Sequence, residues 1–459
     1  MGSMLPIGMS VAKPATPHPT KPNILCILVD DLGYGDLSCQ GFAKDIHTPN
    51  IDRLLNQGVR FTNFYANSNV SSPSRAALLT GRYPDLAGVP GVIRTRNKPV
   101  EPSPDMSIAD FIRNHADESW GNLSSEAILL PQVLKNAGYH TAIVGKWHLG
   151  LQSPDTPTER GFDYFHGFLG DMMDDYYTHL RHNRNYMREN TTVVHPQGHA
   201  SEVFSDWAID YLNTRRKENV PFFLYLAYNA PHAPLQPPAE WLEKAKKREP
   251  NSTGKRAALV ALIEHLDEQV GRVIHALETN RQLENTLIIF VSDNGGDRGS
   301  NANNGPLNGW KGQMLEGGIR VAAGIYWKGK IKPATAENFA MLMDIFPTVC
   351  QLTGTEITHK IDGISILPAL LGEKQTTDDR TVFWVRREGG DFGGRAAYAA
   401  RYKDCKVLQN RPYEPLQYFD LKNDPNEQTP LSIETSERYR KLFYELMDHV
   451  REAGQVPWQ

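Results

Sequence analysis

Long apolar runs are missing: nowhere do about 18 hydrophobic residues follow one another, so no membrane-spanning helix is encoded. Cysteine is scarce. The four present, Cys26, Cys39, Cys350 and Cys405, are too few and too scattered for a disulfide scaffold, and none makes a CxxC metal pair. Buried or incidental thiols are therefore expected. A dominant charge is lacking too. With 49 Lys and Arg against 53 Asp and Glu, the formal net charge of -4 offers no basic field for nucleic acid. Any anionic substrate must then be met by a local cluster of Lys, Arg and His. No internal repeat of about 20 to 50 residues occurs.

What is present describes an ordinary soluble globular chain: 459 residues, 40% hydrophobic and 22% charged, with 37 Gly and 31 Pro. That length suits two domains, or one large α/β domain with an appendage. Met1-Gly2-Ser3-Met4 has the pattern of a cloning scar. The polar, proline-rich stretch that follows to Lys21 reads as a flexible leader whose signal peptide has been trimmed, so a periplasmic or secreted location is expected.

The run Pro22 to Val29 is short and apolar behind a proline, as in a strand buried on both faces of a parallel sheet, and it ends in Asp30-Asp31. Thr286 to Val291 is similar and ends in Ser292-Asp293-Asn294-Gly295-Gly296, while Pro221 to Leu226 ends near His232. Polar residues past strand carboxyl ends mark the ligand edge of an open α/β sheet, so three strands are expected to serve one site. Between them, Leu259, Leu262, Ile263, Leu266, Val270, Val273, Ile274 and Leu277 repeat at helical spacing. The predicted fold is α/β: a large doubly wound mixed sheet flanked by helices, with a smaller C-terminal domain of antiparallel strands and a helix. A polar stretch near residues 372–380 places the boundary, giving a leader at 1–21, a catalytic domain at 22–375 and a C-terminal α+β subdomain at 376–459. In that subdomain Thr381–Val385 and Ala396–Ala400 read as strands. Ser436 to Ala453 reads as a helix whose apolar face packs on them.

Four groups of residues carry chemistry. Ser71-Ser72-Pro73-Ser74-Arg75, followed by Ala76 to Arg82, has proline in a first helical turn, good helix formers and a closing Gly81. Ser71 would lie at the positive end of that helix, where an anion is favoured. Asp30, Asp31, Asp293 and Asn294 form an all-oxygen set with no His or Cys among them, which selects a hard cation, Ca²⁺ before Mg²⁺. Turn or capping acids are the plainer reading of the same residues. Lys146 and His148 in Gly145 to Gly150 lie two apart, on one side if extended. His232 sits between two prolines, and Lys311 among glycines that let backbone approach a ligand.

The run from Ser71 resembles the sulfatase signature: Cys or Ser, any residue, Pro, Ser, Arg, then a short helix ending in Thr-Gly. The other pieces, with Gly161-Phe162-Asp163 and Gly167, follow the same family's order across residues 23 to 320. The chain is thus similar to type I sulfatases of the alkaline phosphatase superfamily. That resemblance implies formylglycine at position 71, whose hydrated form offers one hydroxyl to attack sulfur and a second to expel sulfate. It implies one Ca²⁺ on Asp30, Asp31, Asp293, Asn294 and the residue-71 oxygen. Arg75 would then hold the diol, Lys146 and Lys311 bind sulfate oxygens, His232 act as general acid and His148 as base, the two His roles being exchangeable. A partner is implied as well, a formylglycine-generating or anaerobic sulfatase-maturating enzyme. Serine at 71 is either native to a serine-type site or a Cys→Ser change that traps substrate.

The alcohol behind the sulfate is less legible. Gly81 to Thr95 looks similar to bacterial carrageenan sulfatases, which points to a sulfated algal galactan, with Arg94 and Arg96 reaching the sugar or a neighbouring sulfate. Asp174, Asp175 and His179 in one loop, and Arg386 after Trp384, read as a sugar-binding rim or as solvated charge. A glycosaminoglycan is the second substrate class. A phosphodiester or phosphonate ester hydrolase of the same superfamily is the rival enzyme, and a catalytically silent carbohydrate-binding relative is the rival from another class.

Overall fold

A computed structural model describes residues 21–95, 119–120, 122–389, 394–432 and 436–456, so the leader and Arg96 lie outside the described residues. Ten of the described strands form one mixed sheet: β1 Asn23–Val29, β2 Val59–Phe61, β3 His140–Lys146, β4 Tyr164–Phe168, β5 Met187–Glu189, β6 Thr192–Val193, β7 Phe222–Ala227, β8 Thr286–Ser292, β9 Ala323–Tyr326 and β10 Ala334–Ala336. Their order is β6-β5-β4-β3-β7-β1-β8-β9-β2-β10. The block β4-β3-β7-β1-β8 is parallel throughout. Residues 24–29 of β1 and all of β7 and β8 are buried, as a near-continuous apolar run requires of central parallel strands.

Two groups of helices flank this sheet. One gathers Pro49–Gln57, Ala200–Arg215, Ala239–Arg248 and Gly254–Thr279; the other holds α1, Ser71–Thr80, against Leu130–Asn136 and Ile345–Thr353. All ten residues of α1 are buried, so this helix is an internal strut rather than an amphipathic surface element. It ends at Gly81, whose φ of 66° is left-handed and where a Cβ would sit 3.0 Å from Phe346. Glycine meets both demands at once.

The C-terminal sheet is an antiparallel meander of β11 Thr381–Arg387, β12 Ala396–Tyr402, β13 Cys405–Gln409 and β14 Gln417–Asp420. The helix α2, Glu437–Ala453, covers one face with Leu442 and Leu446 against Ala400, Val407 and Tyr418. Two separate cores would suit the chain length, but the other face of this sheet shares a core with residues of the larger α/β part. Val382, Trp384, Ala399, Leu408 and Phe419 pack with Tyr65, Ala77, Tyr83, Met314 and Ile319, and Trp384 Nε1 donates to the Ala66 carbonyl at 2.7 Å. Ala77 belongs to α1, so the second sheet buttresses the helix that carries Ser71. The four cysteines are free; Cys26, Cys350 and Cys405 are buried.

Candidate active site

Strands β3, β7, β1 and β8 are adjacent and parallel, so their carboxyl ends open on one edge. From them come Lys146, the Asn229–His232 turn, Asp30-Asp31 and Asp293-Asn294. The edge is the one expected of an open α/β sheet. Asp31 and His148 both adopt left-handed backbone, with φ of 68° and 60°, and such residues cluster at functional sites where the surroundings hold them.

Ser71 is the first residue of α1, and its N-cap residue, Val70, makes no side-chain cap. Its Oγ donates to Asp30 Oδ1 at 3.0 Å and lies 3.4 Å from Asn294 Oδ1. Arg75, fully buried, reaches back from the next turn: Nη2 lies 3.3 Å from Asp293 Oδ2 and 3.4 Å from Asp30 Oδ2, and Nη1 donates to the Lys146 carbonyl at 3.2 Å. Lys146 Nζ pairs with Asp30 at 2.5 Å and Lys311 Nζ with Asp31 at 2.7 Å. The lysine loop is itself pinned, since Lys311 N donates to the Gly296 carbonyl and Gly312 N to that of Asn69.

These contacts set the electrostatics. Burial alone would raise Asp30, but Lys146, His232 and Arg75 overcome it and hold the carboxyl well below its ordinary range. Asp293 goes the other way, pushed up to about 7 by burial and by the charge of Asp30. Three carboxylates thus share one buried pocket with Arg75, Lys146 and Lys311. Such a set of convergent carboxylate oxygens fits a hard divalent cation. The neighbourhood is not purely oxygen, however. His232 Nε2 lies 3.6 Å from Asp31 Oδ2, so an imidazole borders the set, brought there by a strand that the linear sequence keeps 200 residues away.

The two imidazoles are held in definite tautomers. His148 Nε2 lies 2.7 Å from the Ile93 carbonyl, which can only accept, so Nε2 carries the proton. Nδ1 is then the lone-pair nitrogen, buried and without a hydrogen-bond partner among the described residues. Burial, then Lys146 and Arg75, push His148 well below its ordinary pKa. In His232 it is Nδ1 that donates, to the Ala233 carbonyl at 2.6 Å, leaving Nε2 to face Asp31. Burial and Lys311 lower this pKa also.

The structure sorts the remaining sequence-derived residues. Asp174 spends its carboxylate on Arg181 Nη1 and the His182 amide, and Asp175 on the amides of Tyr177 and Thr178 and on Gln236. His179 is buried, with Nε2 on the Gly198 carbonyl. All three make hydrogen bonds within their own loop or to the neighbouring Gln236 and Gly198. Arg386 is buried too and clamps Glu388, which in turn meets Arg94 at 3.4 Å. Two contributors escape the sequence pattern. Ser72 Oγ accepts from the Ile93 amide at 2.9 Å and lies 2.8 Å from His148 Nε2, yet it occupies the signature position where any residue is allowed. Tyr176 donates from its buried hydroxyl to the His232 carbonyl at 2.8 Å, and only the fold brings that loop there.

The family match and the homologues make this chain a hydrolase of sulfuric esters. The sulfatase family profile matches residues 22–355, and the chain belongs to that family, the type I sulfatases of the alkaline phosphatase superfamily. The N-acetylgalactosamine-6-sulfatase of Canis lupus familiaris is 33% identical over 386 residues, covering 80% of this chain and 69% of that protein. Among solved structures, Ps i-CgsB in complex with k-i-k-neocarrahexaose superposes with a TM-score of 0.83 at 31% identity, over 95% of this chain and 94% of the other. The PsFucS1 sulfatase from Pseudoalteromonas sp. gives 0.76 at 25% identity, over 96% and 92%. No helix among the described residues is long and apolar enough to cross a membrane.

Proposed function

We propose that this protein removes sulfate from a sulfated carbohydrate, a galactan of the carrageenan type, using formylglycine made at position 71 and one calcium ion. The observation that carries the reading is the convergence on Ser71 Oγ of Asp30 at 3.0 Å and Asn294 at 3.4 Å, at an uncapped helix start. Asp30, Asp31, Asp293, Asn294 and the residue-71 oxygen would hold the calcium, which supplies Lewis acidity toward the nucleophile and the sulfate. Formylglycine, when hydrated, supplies two hydroxyls on one carbon, one to attack sulfur and one to release sulfate. A serine has only one, so the chain with Ser71 unmodified binds substrate but does not turn it over by this route.

The chain's own groups do the rest. Arg75 fixes Asp30 and Asp293 and adds positive charge beside the nucleophile. Lys146 and Lys311, poised on Asp30 and Asp31, share their charge with the sulfate oxygens as negative charge builds on them. His232 Nε2, whose lowered pKa is partly offset by Asp31 at 3.6 Å, gives a proton to the departing sugar oxygen as the S–O bond breaks. His148 Nδ1, the free lone pair, takes the proton of the second hydroxyl. Ser72 and Ile93 keep that ring oriented.

Carrageenan is favoured because the neighbour at 31% identity holds a neocarrahexaose. A glycosaminoglycan is the second reading, favoured by the N-acetylgalactosamine-6-sulfatases at 33% identity and below. We further propose maturation by a formylglycine-generating or anaerobic sulfatase-maturating enzyme, and a periplasmic or secreted location. Mass spectrometry of the residue-71 peptide after co-expression with each maturation enzyme tests the modification of a native serine, because formylglycine carries two hydrogens fewer. An unchanged serine mass in both cases would assign Ser71 to a Cys→Ser replacement. Sulfate release by a matured Ser71→Cys protein from carrageenan and from chondroitin sulfate oligosaccharides separates the two substrate classes.

A further inference from the structure

Three loops at the carboxyl edge of the large sheet meet on one buried side chain. Asn304 is 3% exposed and lies on the connection that runs from Asp293-Asn294 to Lys311. Its Oδ1 accepts from the Gly296 amide at 2.9 Å and from the Tyr34 amide at 3.3 Å. Its Nδ2 donates to the Gly309 carbonyl at 3.2 Å and to the Gly296 carbonyl at 3.3 Å. Backbone amides only donate and carbonyls only accept, so the side chain has one possible orientation, and both acceptor and both donor positions are used. Tyr34 follows the Asp30-Asp31 pair, Gly296 follows Asp293-Asn294, and Gly309 precedes Lys311 by two residues.

The backbones around this amide are in close contact. Gly35 N donates to the Asn303 carbonyl at 2.8 Å and Asn303 N to Asp36 Oδ2 at 2.8 Å. A Cβ on Gly33 would overlap the Asn303 carbonyl, and one on Gly296 would come 2.8 Å from Gly33 Cα. Lys311 N donates at 3.1 Å to the same Gly296 carbonyl that Asn304 Nδ2 reaches. Across this junction Lys311 Nζ meets Asp31 at 2.7 Å. An asparagine that served its own turn would spend its bonds there. This one bonds to the loop after each pair of candidate metal ligands and to the loop that carries the lysine.

We infer that Asn304 is a positioning residue, which holds the Lys311 loop in register with the two loops of the candidate metal site so that the ammonium of Lys311 meets the sulfate already in place. This rests on the proposed sulfate ester hydrolysis and deepens it, adding a residue that acts through Lys311 rather than on the substrate. Preorganised charge is what such a site supplies, and a shift of about 1 Å in a reacting or binding group can cost about a hundredfold in rate. The two ends of the amide do different work. Oδ1 joins the metal-side loops through Tyr34 and Gly296, and Nδ2 ties the lysine loop to them through Gly309. Asn304→Asp separates the two: the carboxylate keeps both acceptor bonds but turns lone pairs toward the Gly309 and Gly296 carbonyls. Asn304→Ala removes both ends.

Titration calorimetry on the Ser71 chain at saturating calcium, with 4-nitrophenyl sulfate as the probe, tests this without turnover. Lys311→Ala should weaken probe binding about tenfold and Asn304→Asp about fivefold. In the Lys311→Ala background, Asn304→Asp should cost less than about twofold, because the group it positions is gone. The same cycle run with Asn304→Ala, which adds no charge, should show the same dependence on Lys311. Calcium titrated without the probe should bind Asn304→Asp no worse than about threefold more weakly than the unaltered chain, and Asn304→Ala about fivefold more weakly or worse. Unchanged probe binding by both Asn304 variants, or the same loss with and without Lys311, would overturn the inference and leave the sulfate reading standing. An unaltered chain that binds no probe would overturn the sulfate reading, and the inference with it.

Discussion

Replacing Lys406 by methionine should loosen the C-terminal sheet from the loop that carries Lys311. Lys406 Nζ is fully buried and pairs with Glu316 at 2.9 Å and Glu427 at 2.6 Å. Glu427 also accepts from the Glu316 amide at 2.6 Å, and its carbonyl accepts from Asn308. Residues 308 and 316 bracket Lys311, so this charge network fixes both ends of the lysine loop. Burial alone would raise Glu316, but Lys406, Arg401 and Arg320 bring it down to about 2. Burial, with the charge of Glu316 added, pushes Glu427 up to about 7. Removing the ammonium from such a group typically costs about 3–5 kcal/mol, because a charge is left buried and unpaired. The lower end applies here, since Glu427 can take a proton near neutral pH. At about 2.1 cal/mol/K per residue, 459 residues give roughly 1 kcal/mol per degree, so Tm should fall by about 3 °C. The loss should be larger at pH 8 than at pH 6, where Glu427 protonates and relieves the repulsion. Scanning calorimetry of wild type, Lys406→Met and Lys406→Met/Glu427→Gln at fixed metal concentration reads this directly. The double variant should recover at least about 1 kcal/mol of the loss. A single variant within about 1 °C of wild type at pH 8, or a double variant worse than the single, would refute the reasoning.

Other expectations follow from the site and its supports. Calcium at 100 times its dissociation constant should stabilise the chain by about 2.7 kcal/mol, a gain that chelation removes and Asp31→Asn abolishes; an equal Tm with and without calcium would contradict the oxygen set as a metal site. Tyr176→Phe, which deletes the hydrogen bond to the His232 carbonyl, should cost about 1 kcal/mol of positioning and lower kcat of the matured enzyme about fivefold, with the calcium-dependent Tm shift unchanged. Asp267 caps the helix Pro49–Gln57 through the Asn50 and Ile51 amides, and burial pushes it up to about 6. With its folded pKa raised, the native state keeps a proton that the unfolded chain has lost, so this group's contribution falls as pH rises from about 4 to about 6. Asp267→Asn should flatten that fall by at most about 3 kcal/mol in urea unfolding across the window.

Much of the candidate site is legible in the sequence because strand ends concentrate it. Asp30-Asp31, Asp293-Asn294 and His232 each follow an apolar run, and the parallel order β3-β7-β1-β8 brings them to one edge. Strand order itself is not legible, since Lys146 and Asp30 are neighbours only through β7, whose run lies far from both in sequence. A carboxylate that caps backbone amides and one that holds a sugar look alike in a string of letters, so the sequence alone does not separate the two readings of Asp174 and Asp175. The pairing of Trp384 with Ala66, and of Glu388 with Arg94, depends on how the second sheet docks across some 300 residues, for which no local periodicity exists.

The central claim is a sulfate ester hydrolase working through position 71. Its most direct test is release of inorganic sulfate from carrageenan oligosaccharides by a Ser71→Cys protein whose conversion to formylglycine has been verified by peptide mass. Calcium-dependent sulfate release, absent from the unmodified Ser71 chain, is the expected result. Fully converted protein that frees no sulfate from carrageenan, glycosaminoglycan or aryl sulfate would contradict the account.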